Sequence, residues 1–256
     1  MRIGFIGAGA ITRAIVTGMI DFDVPFTRVA LSPRNAEIAA KLAELDSRVE
    51  VCESNQAVLD TSDVVCLAVI PQIASEVLGE LEFDARHHVI SFIAGMSLEK
   101  IGQLVRRSSG VTRAVPLPAV ATGKGSTAIC PPDDIAKALF APLGEAVEVA
   151  GEHQFDALSA VTATMASFFA LLEEQAQWLV GQGVPYASAR SFLSGYHVGL
   201  AHETTQGTQP FADMIGHAST PGGLNEQLHR ELSERGTFAH YAEALDRIMR
   251  RVQGRG

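Results

Sequence analysis

Met1-Arg-Ile-Gly-Phe-Ile-Gly-Ala-Gly-Ala-Ile-Thr-Arg-Ala14 is the stretch that decides the fold. Arg2 to Ile6 is a short apolar run that reads as a buried strand. Gly7-Ala8-Gly9 breaks it, and from Ala10 to Ile20 apolar and small residues return at helical spacing (Ile11, Ala14, Ile15, Gly18, Met19). Strand, glycine turn and helix, in that order, open a dinucleotide-binding fold. Gly7 allows the tight turn, and Gly9 leaves room for a pyrophosphate to reach the backbone N–H groups at the helix start, where the helix dipole favours an anion. The position that is usually a third Gly or Ala is Thr12, so the fingerprint departs from its usual form. A purely structural turn is the competing reading. Its place directly after a strand favours the nucleotide.

Working outward, the chain alternates strand-like and helix-like segments to about residue 151. Arg28–Leu31, Val49–Cys52, Val64–Ile70, Val89–Ile93, Val111–Val115, Ser126–Cys130 and Ala146–Val149 read as strands. Helices are expected at 36–45, from Asn55, from Pro71, at 97–106 and near 134–140. The unbroken apolar run 64–70 suits a parallel strand covered on both faces. Right-handed crossovers then make the first half an α/β domain with a doubly wound parallel sheet. The turn after the second strand carries Ser32 and Arg34 where an NAD site usually has Asp or Glu. A hydroxyl and a guanidinium suit a 2′-phosphate, so NADPH is the expected cofactor.

From Glu152 to Arg251 no strand is expected, only helical spacing over 155–179, 186–205, 211–218, 222–235 and 238–251. The expected organisation is therefore a Rossmann domain over 1–151 and an all-helical domain over 152–256. Helices this apolar need cover on several faces, which points to a homodimer.

Composition narrows the function classes. The net charge of −9 gives no basic field for nucleic acid. The basic C-terminal turn (Arg247, Arg250, Arg251, Arg255) reads as a solvated helix end. The three cysteines, Cys52, Cys66 and Cys130, are far apart in apolar surroundings, as expected of reduced thiols in a cytoplasmic protein. No signal peptide and no apolar run of membrane-spanning length are expected. The eight histidines have no metal-ligand spacing, so no metal is expected; His87-His88, just before a strand, reads as exposed.

With these segments placed, the chain resembles the pyrroline-5-carboxylate reductase family over nearly its whole length. The matching pieces are Gly4-Phe-Ile-Gly-Ala-Gly9, Ser32-x-Arg34-Asn35, Asn55 ahead of Asp63-Val-Val-Cys-Leu-Ala-Val-Ile-Pro-Gln72, and Val89-Ile-Ser-Phe-Ile-Ala-Gly95. Arg113-Ala-Val-Pro116, Gly123-Lys-Gly125, Thr127-Ala-Ile-Cys130 and Ser219-Thr-Pro-Gly-Gly223 complete the set, the last being the most specific. The resemblance implies an NADPH-dependent reductase of a cyclic imine acid, giving proline, with dimers interlocked through the helical domain. It places the cofactor on Gly7, Ala8, Gly9, Ala10, Ile11, Ser32, Arg34, Asn55, Ala68, Val69, Pro71, Ala94 and Gly95. It places the substrate carboxylate on Ser219, Thr220 and the Gly222 and Gly223 amides, with Asn225 at the reacting nitrogen; Thr220 and Asn225 are the candidate catalytic pair.

The departures from the family sit in the substrate half. The Met-Pro-Asn-Thr-Pro stretch beside the nicotinamide is Val115-Pro-Leu-Pro-Ala119, and Gly-Ser-Gly-Pro-Ala-Tyr is matched by Ala166-Ser-Phe-Phe-Ala-Leu171. Leu224-Asn225 stands where threonines are usual. A divergent member with a different imine or keto substrate, or an inactive NADPH-binding sensor, are the alternatives. A 3-hydroxyacid dehydrogenase would need a lysine in the second domain, and 151–256 contains none.

Overall fold

A computed structural model describes residues 1–255. In chain order the first half runs β1 (Arg2–Ile6), α1 (Ala10–Asp21), β2 (Arg28–Leu31), α2 (Ala36–Ala43), β3 (Val49–Val51), α3 (Asn55–Asp60), β4 (Val64–Leu67), α4 (Pro71–Gly79), β5 (His88–Ser91) and α5 (Leu98–Leu104). It continues with β6 (Gly110–Val115), a 3-10 turn (Pro118–Thr122), β7 (Gly125–Cys130), α6 (Asp134–Phe140) and β8 (Gly144–Glu148). The second half is helical: α7 (Glu152–Val161), a 3-10 turn (Thr162–Thr164), α8 (Met165–Gly181), α9 (Tyr186–Thr204), α10 (Phe211–Ala218), α11 (Leu224–Glu234) and α12 (Thr237–Val252).

The strands form one eight-stranded sheet in the order β3-β2-β1-β4-β5-β6-β7-β8. Alternate residues feed two cores, one on each face. Ile3 and Phe5 of β1 and Val64 and Cys66 of β4 join α1 and α6 on one face. Ile6, Val65 and Leu67 join α3, α4 and α5 on the other. β4 stops at Leu67, short of the apolar run's end, because Pro71 opens α4; Ile70 is left exposed.

The sheet is not parallel throughout. β7 runs antiparallel to β6, and β8 follows β7 in the reversed direction. Only the short segment Pro116–Lys124 joins β6 to β7, and a parallel crossover needs a dozen residues or more. His87 also departs from expectation. It is fully buried, its Nδ1 accepts from the Asp84 amide at 3.0 Å, and its Nε2 lies 3.0 Å from the Leu59 carbonyl. His88 is half-buried and pairs with Asp133 at 2.8 Å.

Two compact units result, Met1–Ser159 together with the segment from Arg250, and Ala160–Met249. The division falls later than residue 151 because the start of α7 belongs to the sheet: Phe155 is buried against Ala128 and Cys130. Arg113 of β6 ties this turn down, its Nη1 2.7 Å from Glu152 and 3.2 Å from Asp156, its guanidinium 4.4 Å above the Phe155 ring.

The second unit has a small core of its own, Ala176, Ala189 and Leu193 with Leu179 and Val184, where α8 turns back into α9. Helices α10, α11 and α12 bury no residue completely. Trp178, Phe192 and Phe211 are each about two-thirds exposed or more (66, 67 and 71 %). The helical stretch Glu152–Gly181, the 3-10 turn included, is long and apolar enough to cross a membrane, with a mean hydropathy of 1.6 in its most apolar part, which is mostly not buried. This corrects the expectation that no run reaches that length. One such helix is also what an uncovered protein interface presents.

Candidate active site

β1, β2, β4 and β5 are parallel and end level with one another, with Phe5 opposite Leu31, Ile6 opposite Leu67 and Leu67 opposite Ser91. The chain leaves β1 toward β2 and β3 on one side and takes up β4 and β5 on the other. This reversal is a topological switch point, and ligands of open α/β sheets bind in the crevice beyond it. Gly7–Ile11, Ser32 and Arg34, Asn55, Ala68 with Val69 and Pro71, and Ala94 with Gly95 follow β1, β2, β3, β4 and β5. The sheet therefore gathers the whole expected cofactor set on one edge.

The glycine turn is fixed from below and open above. Gly7 has φ +106°, and a Cβ there would lie 2.6 Å from the Ala68 carbonyl oxygen; neither the backbone nor the neighbour admits a side chain. Ala68 N donates to Ile6 O at 2.8 Å, and Asn35 Nδ2 to Ala8 O at 3.3 Å. Thr12 is buried and donates its hydroxyl to Gly7 O at 2.7 Å. A Cβ on Gly9, by contrast, would meet nothing within 4 Å. Helix α1 starts there without a side-chain cap and without an acid in its first turn, which leaves its N-terminal amides and dipole open to an anion.

Ser32 is buried and its Oγ takes the Arg34 amide at 3.5 Å. The Arg34 side chain is exposed and has no acidic partner among the described residues. Asn55 follows Ser54, whose Oγ caps α3 by accepting from Ala57 N at 3.1 Å. The Asn55 Oδ1 is buried and receives no donor, an omission a ribose hydroxyl would repair. An open phosphate turn, a free guanidinium and an orphaned acceptor on one edge fit a phosphorylated dinucleotide.

In the helical unit, Ser219-Thr-Pro-Gly-Gly223 links α10 to α11, but the expected cradle differs in detail. Gly222 N donates to Glu226 Oε2 at 2.6 Å and Gly223 N to Thr220 O at 2.8 Å, so both glycine amides are taken within the loop. Asn225 Nδ2 donates to Ala218 O at 2.9 Å, which engages one of its two N–H donors and fixes the amide with Oδ1 available as an acceptor. What remains for an anion is the hydroxyls of Ser219 and Thr220 and the first-turn amides of α11, whose start has no side-chain cap. Glu226 is the residue that sequence reasoning missed. The signal was there, an acid in the third position of a helix reaching back across its own start. Phe168, marked as a departure, is half-exposed and packs edge-on against His197 at 5.8 Å.

Among the described residues no His, Cys, Asp and Glu cluster could hold a metal ion. The cysteines are free, Cys66 and Cys130 buried, and burial pushes the Cys66 thiol far above its usual range.

Comparison with known proteins gives the following. Residues 2–95 match a family model described as NADP oxidoreductase coenzyme F420-dependent, and residues 152–254 one described as pyrroline-5-carboxylate reductase dimerisation. The chain is 30 % identical to the pyrroline-5-carboxylate reductase of Synechocystis, over 100 % of this chain and 98 % of that one. Its fold is that of a pyrroline-5-carboxylate reductase from Streptococcus pyogenes (TM-score 0.82, 24 % identity, 99 % and 98 % of the two chains). It is likewise that of a Plasmodium falciparum pyrroline carboxylate reductase with NADP bound (TM-score 0.80, 16 % identity, 100 % and 98 %).

Proposed function

This chain belongs to the pyrroline-5-carboxylate reductase family, and from that premise we propose that it reduces 1-pyrroline-5-carboxylate, or a cyclic imine carboxylate close to it, to the saturated amino acid with NADPH. It is an oxidoreductase acting on a C=N bond. The observation that carries the reading is the open glycine turn at the switch point, at the head of a chain that matches these reductases from end to end.

Gly7, Ala8, Gly9, Ala10 and Ile11 would hold the pyrophosphate, Ser32, Arg34 and Asn55 the phosphorylated ribose, and Ala68, Val69, Pro71, Ala94 and Gly95 the nicotinamide half. NADPH, when bound, supplies a hydride. Preference for NADPH over NADH rests on Arg34, exposed and unpaired beside Ser32. On the substrate side, Ser219, Thr220 and the first amides of α11 hold the carboxylate at the positive end of a helix. Asn225 Oδ1 accepts from the protonated ring nitrogen, an acceptor facing a donor. The ring carbon of C=N⁺ gains hydride, the π electrons fall to nitrogen, and nitrogen keeps its proton, so no side chain need exchange one. Orientation is the enzyme's main contribution, worth about 7–11 kcal/mol when reactants are held in line.

The helical unit works as a homodimer in this reading. The apolar surface left by α8–α12 and the dimerisation model over 152–254 both support it. Free cysteines, Cys66 and Cys130 of them buried, suit a reducing, cytoplasmic setting. The test is direct: purified chain, NADPH, and pyrroline-5-carboxylate beside its six-membered homologue, followed by loss of NADPH absorbance. NADPH binding with no turnover on either imine would return the protein to the sensor reading.

A further inference from the structure

We propose that the open cavity bordered by the loop after β5, the start of α7 and the C-terminal segment binds a small α-amino acid as its zwitterion. The cavity measures about 470 Å³ and lies wholly within the first unit. Only Gly95 among its lining residues belongs to the cofactor set.

Its floor is Arg113, 4 % exposed. Nη1 is held by Glu152 and Asp156 and one face lies on Phe155, but Nε is buried without an acceptor. A buried guanidinium N–H left unmade is costly, more so than a neutral one. Lys100 and Arg255 add two cations that pair with no acid among the described residues. Against them stand Glu152 and Asp156, each with one carboxylate oxygen engaged by Arg113 through Oε1 and Oδ1. Oε2 and Oδ2 remain to accept.

This donor set selects by exclusion. A polyphosphate or dicarboxylate would be repelled by the two acids, and a metal ion or polyamine by the three cations. A molecule with one carboxylate and one ammonium satisfies both groups at once: the carboxylate on Lys100, Arg255 and Arg113 Nε, the ammonium on Asp156 and Glu152. Val252, which lines the same cavity, offers an apolar surface to its side chain or ring. That the occupant is the enzyme's own amino-acid product rests on the proposed reaction; the site itself does not.

Calorimetric titration of the full chain with proline and with alanine, without NADPH or imine, tests this. Saturable binding is expected, at least tenfold weaker in the exposed-side-chain double variant Lys100→Ala, Arg255→Ala, with NADPH affinity and imine turnover unchanged. Propionate and pyrrolidine, each lacking one charge, should bind at least tenfold more weakly than proline. Absence of saturable binding by both amino acids overturns the proposal. So does equal affinity in the double variant, which would put the ligand elsewhere, or equal affinity of propionate, which would make the cavity an anion hole. Loss of imine reduction with binding intact would instead refute the reductase reading alone.

Discussion

The buried hydroxyl of Thr12 donates to the carbonyl oxygen of Gly7 at 2.7 Å, across the turn that faces the cofactor edge. The third position of the glycine fingerprint is usually small because the helix packs closely on the strand. Threonine is admitted here because its Oγ1 bonds backward to the turn it would otherwise crowd. Thr12→Val keeps the shape and strands a buried carbonyl, at a cost of about 1–3 kcal/mol; Thr12→Ser retains the bond and should cost less. Urea unfolding of the two variants checks the order, and equal stabilities would show that the bond contributes nothing.

On the same edge, Arg34 is the residue proposed to set cofactor choice. The wild-type chain should bind NADPH more tightly than NADH, and Arg34→Ala should remove most of the gap. A hydrogen bond to a charged group contributes roughly 1.5–3 kcal/mol, or about ten- to a hundredfold in affinity. Fluorescence titration with both cofactors measures it. Equal affinities in the unmodified chain would refute the assignment.

How far such features could be read from the sequence depends on what fixes them. The strand-turn-helix of Arg2–Ile20 was legible because its period changes at two glycines, and backbone freedom alone specifies the turn. The direction of β7 was not, since an apolar run reads alike either way; the length of Pro116–Lys124 sets it. His87 reads as polar, yet it is buried because Asp84 N and the Leu59 carbonyl satisfy both ring nitrogens and Phe83 lies edge-on at 5.9 Å. The loop 219–225 was found by its residues, but which amides it leaves free depends on where Glu226 and Asn225 turn. Sequence spacing carries no record of that.

The helical unit should assemble. Its exposed Trp178, Phe192 and Phe211 cannot be covered by the small core of α8 and α9, and an obligate dimer of this kind buries about 2,000 Å² or more. Sedimentation at micromolar concentration should show a dimer or a multiple of it. Phe192→Asp should shift the population toward monomer and lower the thermal midpoint with it, since the uncovered face has no other partner.

Acid should weaken the first unit through Asp46. Its carboxylate accepts from the Arg48 side chain at 2.7 and 3.0 Å and from the Arg48 amide at 2.8 Å. Those hydrogen bonds, the side-chain one first, hold its pKa down at about 2. The folded value is the lower one, so the ionised group stabilises the fold: the contribution is complete above about pH 4 and lost as pH falls through about 2. Asp46→Asn should flatten that part of the stability–pH curve by lowering stability above about pH 4, where the ionised group contributes, while leaving the acid limit little changed. An unaltered acid limb would mean the exposed pair contributes nothing measurable.

On the proposed carboxylate loop, Glu226 sits where a substrate carboxylate would gain most. Its Oε2 takes the Gly222 amide at 2.6 Å and puts a negative charge at the positive end of α11. Glu226→Ala frees that amide and removes the like charge, so KM for the imine carboxylate should fall, by about five- to tenfold if roughly 1–1.4 kcal/mol of carboxylate binding is recovered. Glu226→Gln keeps an acceptor for Gly222 while losing the charge and should fall between. Thr220→Val should move KM the other way, since it removes a ground-state hydroxyl contact. Asn225→Ala should chiefly lower kcat, because Oδ1 orients the ring nitrogen during hydride transfer, while NADPH affinity stays as it was. Steady-state kinetics at saturating NADPH separate these effects. If KM rises in both Glu226 variants, the glutamate shapes the loop instead of competing for its site, and the carboxylate must be held by other groups.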